Sequence, residues 1–418
     1  MDRNNRQRRR ALFYTLCLVY IGAGIVVILS GPALPLLASH TRVPLDIAGW
    51  IFTAGSLGLT IGVMIAGVLS NRVSAKYIMM GGLFAMGIGA VVVPWTHAFI
   101  VLLGAQFILG IGLGAIDVSM NVIVTLTFSD TLGETLNNLH STFGIGALVG
   151  PLLLSLALQT LNEPTWAFAA GTLIALVTIA LLARQHVPTI SRSSETQETQ
   201  QTQQAVTRSV FKQLVLWLMA LQMFLYIGAE LGFGNWITTA ISQSALVTLV
   251  IAAPAVTMFW IGLTGGRLLG AQVLKRGILS ENRLLIICSI GGGLSGFVVA
   301  LVTGIVWLSF SLSMLVGLFL GPLFPSIMAI ASSRFAHAPG TVSSVMLFSA
   351  GASGLFLPVL VGVLITQIGI GWGMALPALC CLLIAVPFYF ITRRHPLPSG
   401  NDMHTMEGNE ATSTIAKS

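Results

Sequence analysis

The chain has 418 residues, of which 55% are hydrophobic and only 8% charged, about a third of the charged share of a soluble domain. So little charge cannot clothe the water-facing surfaces that a soluble protein of this length needs, which argues against a soluble enzyme. The formal net charge of +7 falls in short clusters between apolar stretches with no aromatic interleaving, so it points to membrane topology and not to a nucleic-acid partner.

In chain order, Arg8, Arg9 and Arg10 precede an apolar run over 11–38 that is too long for a cleavable signal segment and reads as the first span. Eleven more stretches long enough to cross a ~30 Å hydrocarbon core follow. They are expected at 46–70, 77–96, 98–127, 138–160, 165–183, 212–241, 245–274, 284–304, 306–332, 341–368 and 371–391. Alternating sides along these spans gathers 18 of the 20 Lys and Arg residues on the side of both termini. Arg42 falls on the other side and Arg267 inside a span. That asymmetry predicts a multi-pass inner- or plasma-membrane protein with both termini cytoplasmic.

The expected organisation is a six-helix bundle over 1–183, a linker over 184–211, a second bundle over 212–395 and a disordered tail over 396–418. The linker carries SRSSETQETQQTQQAVTRS, too polar to bury a core of its own. The four cysteines, Cys17, Cys288, Cys380 and Cys381, lie in apolar stretches without metal spacing and read as small buried residues. No cofactor is expected, and no Walker loop or nucleophile motif marks a pump or an enzyme.

The two halves are copies. GIGLGAIDVSMNVIVTL from Gly110 matches GLFLGPLFPSIMAIASS from Gly317, an offset of 207 that also pairs Gly144 with Gly351 and Pro151 with Pro358. YIGA at Tyr20 recurs at Tyr226, an offset of 206. Parallel repeats of this kind mark transporters whose halves rock around a site near the bilayer midplane. The fold class is therefore all-α, twelve transmembrane helices in two pseudo-symmetric six-helix bundles.

The copies differ in their acids. Asp117 in the fourth span pairs with Phe324, and Glu230 in the seventh pairs with Gly24. A carboxylate at membrane depth costs roughly 2.5–3.5 kcal/mol on insertion scales, so it normally faces water, finds a partner or holds a proton. Proton coupling at Asp117 or Glu230 is the sharp reading; a permanently paired structural carboxylate is the bland one.

Helical spacing places Gln106, Gly110, Asp117 and Asn121 on one side of the fourth span, and Gln222, Tyr226, Glu230 and Gly234 on one side of the seventh, with Asn235 and Trp236 adjacent. Amides, a carboxylate and aromatic faces suit a polyhydroxylated ligand, although such residues can also serve only to hold helices together. The fifth span opens with Asn137, Asn138, His140 and Ser141. His140 is a candidate proton partner of Asp117 or an ordinary hydrogen-bonder. Arg267, in the eighth span, either snorkels to the interface or makes a gate contact with the start of the fifth span or an acid of the other half.

Residues 67–76, GVLSNRVSAK, resemble the loop motif of the major facilitator superfamily, with Asn71 where an acid is usual and Arg72 and Lys76 in the basic, gating positions. GIGLGAIDVSMN, LNNLHSTFGIGALVGP and YIGAELGFGNW are similar to the fucose, galactose and glucose proton-symporter group of that family. The resemblance implies the major facilitator fold, and it implies that Asp117 is the acid this group uses in proton-coupled sugar transport, with Asn121 part of the same motif. His140 stands where fucose carriers of the group have a glutamine. Gly31 stands where they carry an acid in the first helix, a role Glu230 is a candidate to take over.

The leading expectation is proton-coupled transport of a sugar or related small polar solute by a monomer in the lipid bilayer. The alternatives are proton-driven efflux of drugs or amphipathic metabolites, and a non-transporting membrane sensor or scaffold.

Overall fold

A computed structural model of the chain describes residues 3–70, 72–185, 187, 209–335 and 338–394. Twelve helices among them are long and apolar enough to cross a bilayer: α1 Arg6–Thr41, α2 Leu45–Leu69, α3 Ala75–Trp95, α4 Phe99–Thr127, α5 Asn138–Leu161, α6 Thr165–Arg184, α7 Leu214–Ser244, α8 Leu249–Lys275, α9 Glu281–Val302, α10 Val306–Arg334, α11 Thr341–Gln367 and α12 Ile370–Phe388. Every expected span is present. The largest departure is at the start of the first, where helix continues back to Arg3 through the arginine cluster. Most of the expected linker and tail lies outside the described residues.

Proline and glycine punctuate the helices where the chain must bend. α10 breaks at Gly321 and Pro322 into Val306–Leu320 and Leu323–Arg334, because Pro322 cannot continue the hydrogen-bond ladder. α8 restarts at Pro254 after a single turn, Leu249–Ala252. α2 also opens with a single turn, Leu45–Ala48, and resumes at Trp50 after Gly49.

Within the first bundle α4 is clasped between α2 and α3, and α1 packs on α5 and α6. Within the second, α8 and α9 flank α10, and α7 packs on α11 and α12. The tightest crossings are matched. Gly110 of α4 abuts the Gly55 carbonyl of α2, and Gly317 of α10 abuts the Phe259 carbonyl of α8. A side chain at either position would collide with backbone, so glycine is what permits the approach. Large apolar residues such as Phe84, Ile100 and Trp307 cover the outside and are 60–80% exposed, a surface stable against lipid tails and not against water.

The bundles meet along three seams, α2 with α11, α5 with α8, and α1 with α7. The first two are related by the repeat. Thr53 Oγ1 of α2 donates to the Leu355 carbonyl of α11 at 2.6 Å, and Thr257 Oγ1 of α8 donates to the Leu148 carbonyl of α5 at 3.0 Å. Two turns along each helix, the Thr60 hydroxyl lies against Gly351 and the Thr264 hydroxyl against Gly144. Ser155 Oγ donates to the Val250 carbonyl at 2.7 Å still nearer the α5–α6 and α7–α8 connections. These contacts draw the bundles together in the half of the molecule remote from the termini. From Thr264 to the Lys275 end of α8 there remain 11 residues, about 16 Å of helix.

Candidate transport site

The chemistry-bearing residues sit one turn beyond these seam contacts, toward the end that carries the termini. His140 is one turn from Gly144 on α5, and Arg267 nearly one turn from Thr264 on α8, so the two face each other across the gap. Arg267 lies within electrostatic reach of His140 in the first bundle and of Glu230 and Tyr226 in the second. It stands eight residues, about 12 Å, inside the Lys275 end of its helix.

On the side of the first bundle, the buried Tyr20 donates its hydroxyl to Asp117 Oδ1 at 3.2 Å. The Tyr20 ring lies 5.2 Å from the His140 imidazole and 6.3 Å from Phe143. Tyr20 therefore touches both groups expected to handle a proton. Asp117 is half-buried and His140 is exposed. Asn121 is exposed, but its Nδ2 donates to the backbone carbonyl of Asp117 at 2.8 Å, one turn back on the same helix.

On the side of the second bundle, Tyr226 is fully buried with its ring 5.9 Å from Phe324, the residue that replaces Asp117 in the repeat. Glu230, one turn on, is half-buried. The Tyr226 hydroxyl and the Arg267 Nε are both buried, and the hydroxyl lies within hydrogen-bonding reach of Glu230 and Arg267.

Other expected site residues lie elsewhere. Gln106 is buried, its Nε2 donating to Ser30 Oγ at 2.7 Å, and ties α4 to α1. Gln222, expected to bind substrate, is buried inside the second bundle, where Nε2 donates at 3.1 Å to the Ile384 carbonyl. Trp236 is likewise fully buried. Its Nε1 donates to the Pro358 carbonyl at 2.7 Å and its ring meets Phe52 of the other bundle at 6.1 Å, so in this conformation it plugs the seam and lines no opening. Asn235 is half-buried beside Gly31, where an added Cβ would stand 2.9 Å from the Asn235 Cα. The backbone of α7 fills the space an acid at position 31 would need. Lys76 Nζ donates to the Ala183 and Gln185 carbonyls at 2.9 and 2.7 Å, satisfying the end of α6 within its own bundle. Arg72 is exposed in the α2–α3 connection, and the Asn137 side chain lies outside the described residues.

Two bundles related by a repeat, with ionisable side chains facing across a seam at membrane depth, define the secondary-transporter class. The Major Facilitator Superfamily model matches residues 16–358, and the chain belongs to that family, whose similar members here are transporters and not enzymes. It is 22% identical over 318 residues to the mouse (Mus musculus) sodium-dependent glucose transporter 1A, covering 68% of this chain and 73% of that one. It is 26% identical over 343 residues to the glucose/galactose transporter of Brucella abortus biovar 1, covering 77% and 79%. Its fold matches the crystal structure of FucP, the fucose:proton symporter of E. coli, in the outward conformation, with a TM-score of 0.61, 20% identity and 90% and 98% of the two chains covered. Matches to the frog and human proteins named sodium-dependent glucose transporter 1 take in 59% and 58% of those chains, so this chain spans less than two thirds of their length.

Proposed function

We propose that this chain carries a sugar or a related small polar solute across the inner or plasma membrane by alternating access, coupled to protons through Asp117 and Glu230. The observation that carries this reading is the hydrogen bond from Tyr20 to Asp117 beside the exposed His140. A lone carboxylate is held at membrane depth by a hydroxyl that serves it whether it is ionised or protonated, and an imidazole stands next to it as the route in and out. Support also comes from the sugar carriers among its relatives and from the 18 basic residues gathered on the side of the termini, a bias that favours cytoplasmic termini.

The seam contacts then form the closed outer gate, and the site opens toward the cytoplasm. Rocking the bundles about α1, α7 and the two threonine seams would reverse that access. One chain encloses the whole pathway, so the working unit is a monomer.

Purified protein in proteoliposomes, given a panel of labelled sugars under an imposed proton gradient, a sodium gradient or none, tests the reading. Accumulation of at least one sugar driven by the proton gradient is the expected result. Accumulation driven by sodium alone, as the names of the mouse, frog and human relatives suggest for those proteins, would replace the proton as coupling ion. Export of amphipathic compounds without sugar movement would replace the substrate class.

A further inference from the structure

The first helix runs on well past the apolar core. It is continuous over Arg3–Thr41, 39 residues or about 58 Å, against a hydrocarbon core of ~30 Å. Its first turns carry Arg3, Arg6, Arg8, Arg9 and Arg10, and no Asp or Glu occurs in 3–45. The first bundle holds this start in place. Arg9 Cζ stands 5.0 Å over the Phe128 ring at the end of α4, Phe13 meets the same ring at 6.3 Å, and Gln185 Nε2 at the end of α6 donates to Thr15 Oγ1 at 2.7 Å.

On the adjoining side of the helix Arg6, Arg10 and Tyr14 follow one another at one-turn intervals, and all three are exposed, Tyr14 at 65%. A tyrosine exposed on the outside of a span marks the level of the lipid headgroups. Arg10 then stands about 6 Å beyond that level and Arg6 about 12 Å, within reach of the headgroup layer for side chains of that length. Arg8 is exposed as well, but it lies nearly opposite Arg6 around the helix and away from Tyr14.

We propose that Arg6 and Arg10 form a binding site for the phosphate of an anionic phospholipid, in the leaflet on the side of the termini. Guanidinium groups match phosphate oxygens with charge-assisted hydrogen bonds, and a basic cluster next to a span is drawn to an anionic leaflet. The stripe is already helical and clamped at Phe128, so little order is lost when the lipid binds. This site lies on the outside of the first bundle and is independent of which solute the chain carries.

Wild type and variants reconstituted in vesicles of phosphatidylcholine and phosphatidylglycerol in equal parts, re-extracted in detergent and analysed by mass spectrometry for retained lipid, test this. Wild type should retain phosphatidylglycerol over phosphatidylcholine by about tenfold or more. Arg10→Gln should lower that ratio about fivefold, the worth of one arginine near an anionic surface, and the double variant Arg6→Gln, Arg10→Gln should bring it within about twofold of unity. Arg8→Gln removes the same charge from the other side and should leave the ratio within about twofold of wild type. The three positions are exposed and glutamine is close to arginine in helix propensity, so the variants are expected to fold. A wild-type ratio near unity, a ratio that the double variant leaves untouched, or an equal loss in Arg8→Gln, the mark of diffuse charge attraction, would overturn the site. Displacement of the lipid by inorganic phosphate but not by chloride at equal ionic strength would assign the arginines to a soluble anion and overturn it too.

Discussion

Tyr20 and Tyr226 hold repeat-related positions, yet the first donates its hydroxyl to Asp117 at 3.2 Å while the second lays its ring 5.9 Å from Phe324. The two equivalent positions thus have different partners. One half keeps a tyrosine–carboxylate pair beside a histidine. The other half has Phe324 in place of that carboxylate, and its tyrosine hydroxyl stands beside Glu230 and Arg267.

Removing the Tyr20 hydroxyl should therefore damage coupling more than binding. A hydrogen bond to a carboxylate contributes about 1.5–3 kcal/mol, so Tyr20→Phe is expected to cut gradient-driven accumulation by about tenfold or more. Its counterflow should stay within a few-fold of wild type. Parallel loss of both activities in a well-folded variant would assign Tyr20 to solute binding instead.

The matched threonine seams should set which conformation is populated. Each neutral hydrogen bond is worth about 1 kcal/mol, so the double variant Thr53→Val, Thr257→Val should shift the balance between the two conformations by about 30-fold, and each single variant by about fivefold. Double electron–electron resonance between labels on the α1–α2 and α7–α8 connections would show the end remote from the termini opening. An unchanged distance distribution would mean that Trp236 and the glycine contacts hold the seam without them.

The glycine crossings should tolerate nothing larger. Gly110→Leu places a side chain into the Gly55 carbonyl, and loss of monodisperse protein on size-exclusion chromatography is the expected result. Gly104→Ala, on the same helix with open space around its Cα, should be neutral or stabilising by a few tenths of a kcal/mol. Equal tolerance at both positions would show that the α2–α4 contact is looser than described.

Lys76 satisfies two carbonyls at the end of α6, so Lys76→Met should lower the melting temperature of the purified protein by several degrees, an effect of about 1–2 kcal/mol for a partly exposed charged donor. A variant that melts like wild type but fails to transport would return Lys76 to the gate that its loop motif suggested.

The twelve spans and the two-bundle plan were legible in the sequence, because hydropathy and the 207-residue offset are both written in consecutive residues. The matched seam was not. Between α2 and α8 the offset falls to 204, pairing Thr53 with Thr257 and Thr60 with Thr264, and a register change of three residues hides the match. Asp117, Glu230, His140 and Arg267 stood out as ionisable groups in apolar stretches, and the fold draws them into one region. Tyr20 did not stand out, although its repeat with Tyr226 was visible, because nothing local says which side of α1 meets α4. Gln222 and Trp236 share helical faces with residues of the site but are consumed by the Ile384 and Pro358 carbonyls, contacts between distant helices that spacing alone does not reveal.

The most direct test of proton coupling compares wild type with Asp117→Asn in one proteoliposome preparation, measuring sugar counterflow and proton-driven accumulation side by side. The account predicts that the variant retains counterflow and loses accumulation. Full gradient-driven accumulation in Asp117→Asn would contradict it.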